Sequence, residues 1–125
     1  MIGVIDYGAS NLRSVMHALH HLGVDAHVAD HPGGLRGADA IILPGVGAFG
    51  AGMEQVRARG FEDPVRRAAA DGVPLLGICL GAQVLARGFG AQNRLGATPE
   101  FGWRTRYGTE VKCALILVIV GCAWK

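Results

Sequence analysis

The chain has 125 residues, half of them hydrophobic and 18% charged, with a formal net charge of +2. That length allows one domain with a real core, the composition excludes a disordered chain, and so small a charge gives no reason to expect nucleic-acid binding. Three cysteines without zinc-ligand spacing, and odd in number, speak against a metal site and a secreted disulfide scaffold and suit a reducing cytoplasm.

The N-terminus, Met1-Ile2-Gly3-Val4-Ile5-Asp6, has no basic stretch and reads as a first buried strand over residues 2–5 rather than a signal peptide. Asn11 is placed to cap a helix whose apolar positions Leu12, Val15, Met16, Leu19 and Leu22 share one face. Gly23 stops that helix, and Val24 to Ala29 form a second strand. Pro32-Gly33-Gly34 is a turn. Ala40 to Leu43 form a third strand, closed by Pro44-Gly45-Val46-Gly47.

A helical stretch follows from about Gly52, with Met53, Val56, Phe61, Val65 and Ala68 or Ala69 facing inward. Gly60 and Pro64 divide it, with Pro64 opening the second part. Val73 to Ile78 are a fourth strand, and residues 80–89 a helix directly behind it, with Leu80, Val84, Leu85 and Phe89 apolar. The expected fold is α/β, a three-layer arrangement of a mostly parallel sheet with helices on both faces. Asp6, Gly45 to Gly47 and Cys79 all fall at the carboxyl ends of the strands, where such folds gather functional groups.

The order fails beyond about residue 90. Residues 1–95 are balanced in charge; Arg104, Arg106, Lys112 and Lys125 against Glu100 and Glu110 supply the whole positive excess. Both tryptophans and two of the three cysteines also lie in the final stretch. Ala114 to Val120 could form a strand, without a helix after it to cover it, and would be an aggregation hazard if exposed. The apolar run from Cys113 to Trp124 is shorter than the roughly 20 residues of a bilayer-spanning helix, so no membrane segment is expected. Residues 1–90 therefore read as the first part of a domain incomplete at its C-terminus, and 91–125 as a divergent tail. A shifted reading frame fits that abrupt change best, although a truncated product would also produce it.

The chemistry centres on Gly77-Ile78-Cys79-Leu80-Gly81. A strand turning sharply into a helix presents a nucleophile, and the helix N-terminus supplies amides and a dipole that favour a thiolate. Attack on a carbonyl creates an oxyanion, for which the Leu80 N–H and an amide at Val46 or Gly47 are candidates. On spacing alone, Cys79 also fits a small buried hydrophobe at a strand end. Cys113 and Cys122 read as packing residues. His17, His20 and His21 lie on one predicted helix, His27 and His31 lie around the second strand, and no pair makes a metal site.

Three segments then carry a resemblance. Val73 to Gln83 resembles the nucleophile segment of the class I glutamine amidotransferases. Ile5-Asp6-Tyr7-Gly8-Ala9-Ser10-Asn11-Leu12-Arg13-Ser14-Val15 is similar to the opening of the glutaminase subunits of imidazole glycerol phosphate synthases, and Leu43 to Gly50 to their oxyanion turn. The resemblance covers residues 1 to about 90. It implies hydrolysis of glutamine through a thioester on Cys79, oxyanion amides at Gly47 and Leu80, and Gln83 beside the bound glutamine, with no cofactor and no metal. It also implies delivery of ammonia to a cyclase subunit, a (β/α)8 barrel of histidine biosynthesis, with Tyr7, Asn11, Pro44, Gly45 and Val46 facing that partner. Ser10 and Ala82 stand where glycine and methionine are common in the family. The larger departure is that no histidine follows Cys79, whereas the family completes its triad with a downstream histidine and glutamate. A cyclase-binding chain without turnover, or the amidotransferase part of another synthase, are the alternatives.

Overall fold

The first apolar run forms strand β1 (Ile2–Ile5), and its alternation is hidden because both faces of the strand are covered. The computed structural model of the chain describes residues 1–89 and the backbone of 93–94, 111–112 and 117–120. Helix α1 (Leu12–His21) is capped by Asn11, whose side chain accepts the Ser14 N–H at 3.3 Å. It ends at Gly23, where φ is 68°, a value glycine tolerates at a helix end. The Val24 N–H donates back to the Leu19 carbonyl, so β2 (Ala26–Ala29) starts two residues later than the apolar run suggests, and Leu22 lies exposed rather than inward.

The Pro32–Leu35 turn is a short 3-10 helix. Strand β3 (Ala40–Gly45) runs two residues beyond the aliphatic run, through Pro44 and Gly45. Helix α2 (Phe49–Ala58) begins three residues before Gly52, and Gly60, at φ 74°, separates it from α3 (Glu62–Ala70). Pro64 is the third residue of α3 rather than its opening one, still among the four positions whose N–H has no intrahelical partner. Strand β4 (Leu75–Cys79) passes into α4 (Leu80–Gly88) without an intervening residue. Phe89, an apolar position of the expected helix, follows the end of α4 and is exposed.

The strands order as β2-β1-β3-β4, all parallel, with Ile2 opposite both Ala26 and Ala40 and Gly45 opposite Cys79. Each face has its own core. Ile5, Ile41, Leu43 and Leu75 pack against Met53, Val56, Phe61, Val65, Val84 and Leu85 from α2, α3 and α4. Val4 and Ile42 pack against Leu19, with Leu12, Val15 and Met16 of α1 beside them. This is the three-layer parallel α/β arrangement that the sequence implies.

Most of residues 91–125 lies outside the described residues, including Cys113, Cys122 and both tryptophans. Strands β5 (Asn93–Arg94) and β6 (Val111–Lys112) pair with each other in parallel. Strand β7 (Leu117–Val120) lies within the expected 114–120 run and adds to β4 antiparallel, from Leu75 opposite Val120 to Ile78 opposite Leu117. Among the described residues, no helix is long and apolar enough to cross a membrane.

Candidate active site

Cys79 is both the last residue of β4 and the N-cap of α4, at φ 55° and ψ −119°. It is the one non-glycine residue with positive φ among those described, and its side chain is exposed. Such backbone is costly for a residue with a Cβ and persists only where its surroundings enforce it. The enforcing contacts are backbone against backbone. A Cβ on Gly81 would run into the Leu43 carbonyl of β3, and one on Gly77 into the backbone of Ala82. Glycine at both positions lets the first turn of α4 settle onto the sheet edge and aim its unpaired amides, beginning at Leu80, past Cys79.

The opposing side is the end of β3. A Cβ on Gly45, the cross-strand partner of Cys79, would collide with the Tyr7 hydroxyl and would lie 2.8 Å from the Gly81 nitrogen. Beyond it the chain is exposed from Val46 to Ala48, and Gly47 adopts φ 98° with open space beside its Cα. The Val46 N–H donates to the Ala9 carbonyl at 2.9 Å. Of the two amides proposed from sequence for the oxyanion, Val46 is thus committed, which leaves Gly47. Gln83 lies on the first turn of α4, half-buried, and Leu80 is buried against Gly52 of α2.

Tyr7, Pro44 and Gly45 are among the residues expected to face a partner. All three are buried, Tyr7 completely, because Tyr7 fills the space that the missing side chain of Gly45 leaves open. Asn11 and Val46 are exposed. Burial pushes the Tyr7 phenol up to about 12, and the nearby Cys79 adds to the shift. The Tyr7 hydroxyl and the Ser10 hydroxyl are both buried without a hydrogen-bond partner among the described residues.

Sequence reasoning missed Arg59, which follows α2. Its Nη1 donates to the Asp6 carbonyl at 3.5 Å, and its guanidinium lies against Gly8. The Asp6 carboxylate accepts the Gly8 N–H at 2.9 Å. Residues 6–9 are therefore tied on one side to α2 and on the other to the turn after β3. An arginine just past a solvated helix gives no local signal of such a tertiary contact. The histidines do not reach Cys79: His31 follows β2, which stands three strand spacings, about 14 Å, from β4, and His17, His20 and His21 lie in the later turns of α1, away from its Asn11 end. Among the described residues, no group of three His, Cys, Asp or Glu side chains could hold a metal ion.

The family model for class I glutamine amidotransferases matches residues 3–117. Over 84 residues the chain is 54% identical to the imidazole glycerol phosphate synthase subunit HisH of Symbiobacterium thermophilum, covering 67% of this chain and 40% of that protein. Over 132 aligned positions it is 39% identical to the same subunit of Nostoc punctiforme, covering 92% and 63%. The chain thus spans roughly two-fifths to three-fifths of the curated relatives it matches. Among solved structures, a glutamine amidotransferase superposes with a TM-score of 0.57 at 33% identity, covering 65% of this chain and 42% of that one. PurLQS from Thermotoga maritima superposes at 0.59 and 28% identity, covering 74% and 45%.

Proposed function

We propose that this chain, which belongs to the class I glutamine amidotransferase family, is built to hydrolyse the side-chain amide of glutamine to glutamate and ammonia. The observation that carries this reading is Cys79 held exposed at a positive-φ elbow between β4 and α4, opposite the open Gly47 turn. A thiolate there attacks the amide carbon, forming a C–S bond while the carbonyl electrons move to oxygen. The Leu80 and Gly47 amides are the residues assigned to that oxyanion, a reading supported by the elbow at Cys79 and the exposed turn at Gly47. Collapse breaks the C–N bond as the nitrogen takes a proton from water and leaves as ammonia, and the resulting hydroxide attacks the thioester, breaking the C–S bond to release glutamate and return the Cys79 sulfur. Gln83, on the first turn of α4, is the residue assigned to the bound glutamine.

The curated relatives are subunits of imidazole glycerol phosphate synthase. On that basis the ammonia is delivered to the cyclase subunit of such a synthase, a (β/α)8 barrel acting in histidine biosynthesis. The exposed Val46 and Asn11, beside the site, are the residues assigned to that contact. A second reading is favoured by one observation: the described histidines lie on α1, on β2 and just beyond it, away from Cys79. In that reading the chain docks to the cyclase without turning over glutamine.

Covalent trapping tests the nucleophile. The chain is treated with an electrophilic glutamine analogue and digested for mass spectrometry. The expected result is one adduct, at Cys79, formed more slowly in excess glutamine and absent from Cys79→Ala. Adducts spread over Cys113 and Cys122, or no protection by glutamine, would overturn the assignment.

A further inference from the structure

Continuing the β1–β3 register, in which Val4 lies opposite Ile42, places Tyr7 level with Gly45, and Gly45 is paired with Cys79. The strand carrying Tyr7 and the strand carrying Cys79 are two spacings apart, about 9.6 Å. A side chain from the first reaches the second only if it is long and if the residue between them has no side chain. Tyr7 and Gly45 meet both conditions: the Tyr7 hydroxyl occupies the space a Gly45 Cβ would need, and the Gly81 nitrogen at the start of α4 borders the same point.

That hydroxyl has no partner among the described residues, although Tyr7 is completely buried. An orphaned buried hydroxyl is a cost in every folded molecule, and a phenylalanine would avoid it. Its phenol is also held protonated, so it is a donor throughout the physiological range.

We infer that the Tyr7 hydroxyl, reaching across Gly45, donates a hydrogen bond to the Cys79 sulfur when that sulfur is ionised. The bond is formed in the reacting state, which accounts for the missing partner at rest. A charge-assisted hydrogen bond is stronger than a neutral one, so the donor favours thiolate over thiol. Among the described residues, the other titratable groups at this edge are Asp6, whose carboxylate is bonded to the Gly8 N–H, and Arg59, whose guanidinium lies against Gly8. The end of β3 and the first turn of α4 contribute none. The inference rests on Cys79 being the reacting thiol of the proposed glutaminase.

The test compares Tyr7→Phe with the unaltered chain in the rate of Cys79 alkylation by iodoacetamide across pH, followed by peptide mass spectrometry. The expected result is alkylation slowed about ten-fold at pH 7, a profile displaced to higher pH, and rates that converge in alkali. The melting temperature stays the same or rises, because the orphaned hydroxyl is gone. Superimposable profiles would overturn the inference, and so would one constant slowing at every pH, which would mark a change in access rather than ionisation. Protection of the unaltered chain by glutamine is measured in parallel. Its absence counts against the glutaminase reading, while the two profiles decide the role of Tyr7.

Discussion

Cys79 stores strain where its chemistry needs it. A nucleophile must carry a side chain, yet φ 55° and ψ −119° are suited to glycine. Gly77 and Gly81 give way on either side so that Cys79 does not have to. Cys79→Gly is expected to relieve that strain by roughly 1–3 kcal/mol, less roughly 0.5–1 kcal/mol for the greater freedom glycine has in the unfolded chain. A net gain of about 1 kcal/mol in urea denaturation is expected, with loss of all reaction toward glutamine analogues. Cys79→Ala retains the Cβ and should show no such gain. A Cys79→Gly variant less stable than Cys79→Ala by that glycine cost of roughly 0.5–1 kcal/mol would mean that the elbow is not strained. By contrast, an alanine at Gly81 meets a backbone carbonyl that has nowhere to move, and it should destabilise by about 3 kcal/mol.

At the scale of elements, most of the architecture is legible because periodicity and punctuation agree: the α1 face, the Asn11 cap, the break at Gly60 and the strand–elbow–helix around Cys79. The misreadings fall where tertiary contacts override local pattern. Val24 is β-branched, but its N–H completes the end of α1 and it never joins β2. Tyr7 sits in a segment rich in turn residues, and nothing local marks it as core; it is buried because a glycine far along the chain makes room for it. The α2–α3 junction shows a contact of the same kind. Glu62, in the first turn of α3, accepts from Arg57 of α2 at 2.9 Å and from Arg66 at 3.2 Å. The Arg57 hydrogen bond is the main reason its carboxyl is held below the usual range. A lowered carboxyl stabilises the fold above its unfolded-state pKa and loses that contribution as pH falls through the folded value. These charges are largely exposed, so Glu62→Gln should cost less than about 1 kcal/mol at pH 7 and progressively less on acidification. Urea denaturation at several pH values checks this; a penalty that persists at pH 2 would have to come from packing.

At the scale of the whole molecule, the sheet order decides whether any described group can stand in for a base. The described histidines sit on α1, on β2 and just beyond it, and β2 is the strand farthest from β4 on that side of the sheet. The neighbour of β4 on the other side is β7, whose run Leu117–Val120 contains no titratable residue. The elbow at Cys79 and the turn at Gly47 are legible in the sequence because strand ends and glycine turns are local. Among the described residues the histidines all precede Cys79, and the fold turns that order into distance. Loss of a triad histidine typically costs three to six orders of magnitude in turnover, whereas alkylation of the thiol depends on the elbow and its amides. The 125-residue chain is therefore expected to alkylate at Cys79 readily yet to release glutamate at about a thousandth, or less, of the rate of a full-length HisH relative assayed alongside it with the same cyclase subunit. Added imidazole should raise that rate by supplying the missing proton acceptor. Glutamate release equal to that of the full-length relative, without imidazole, would show that another group in this chain does the work of the histidine.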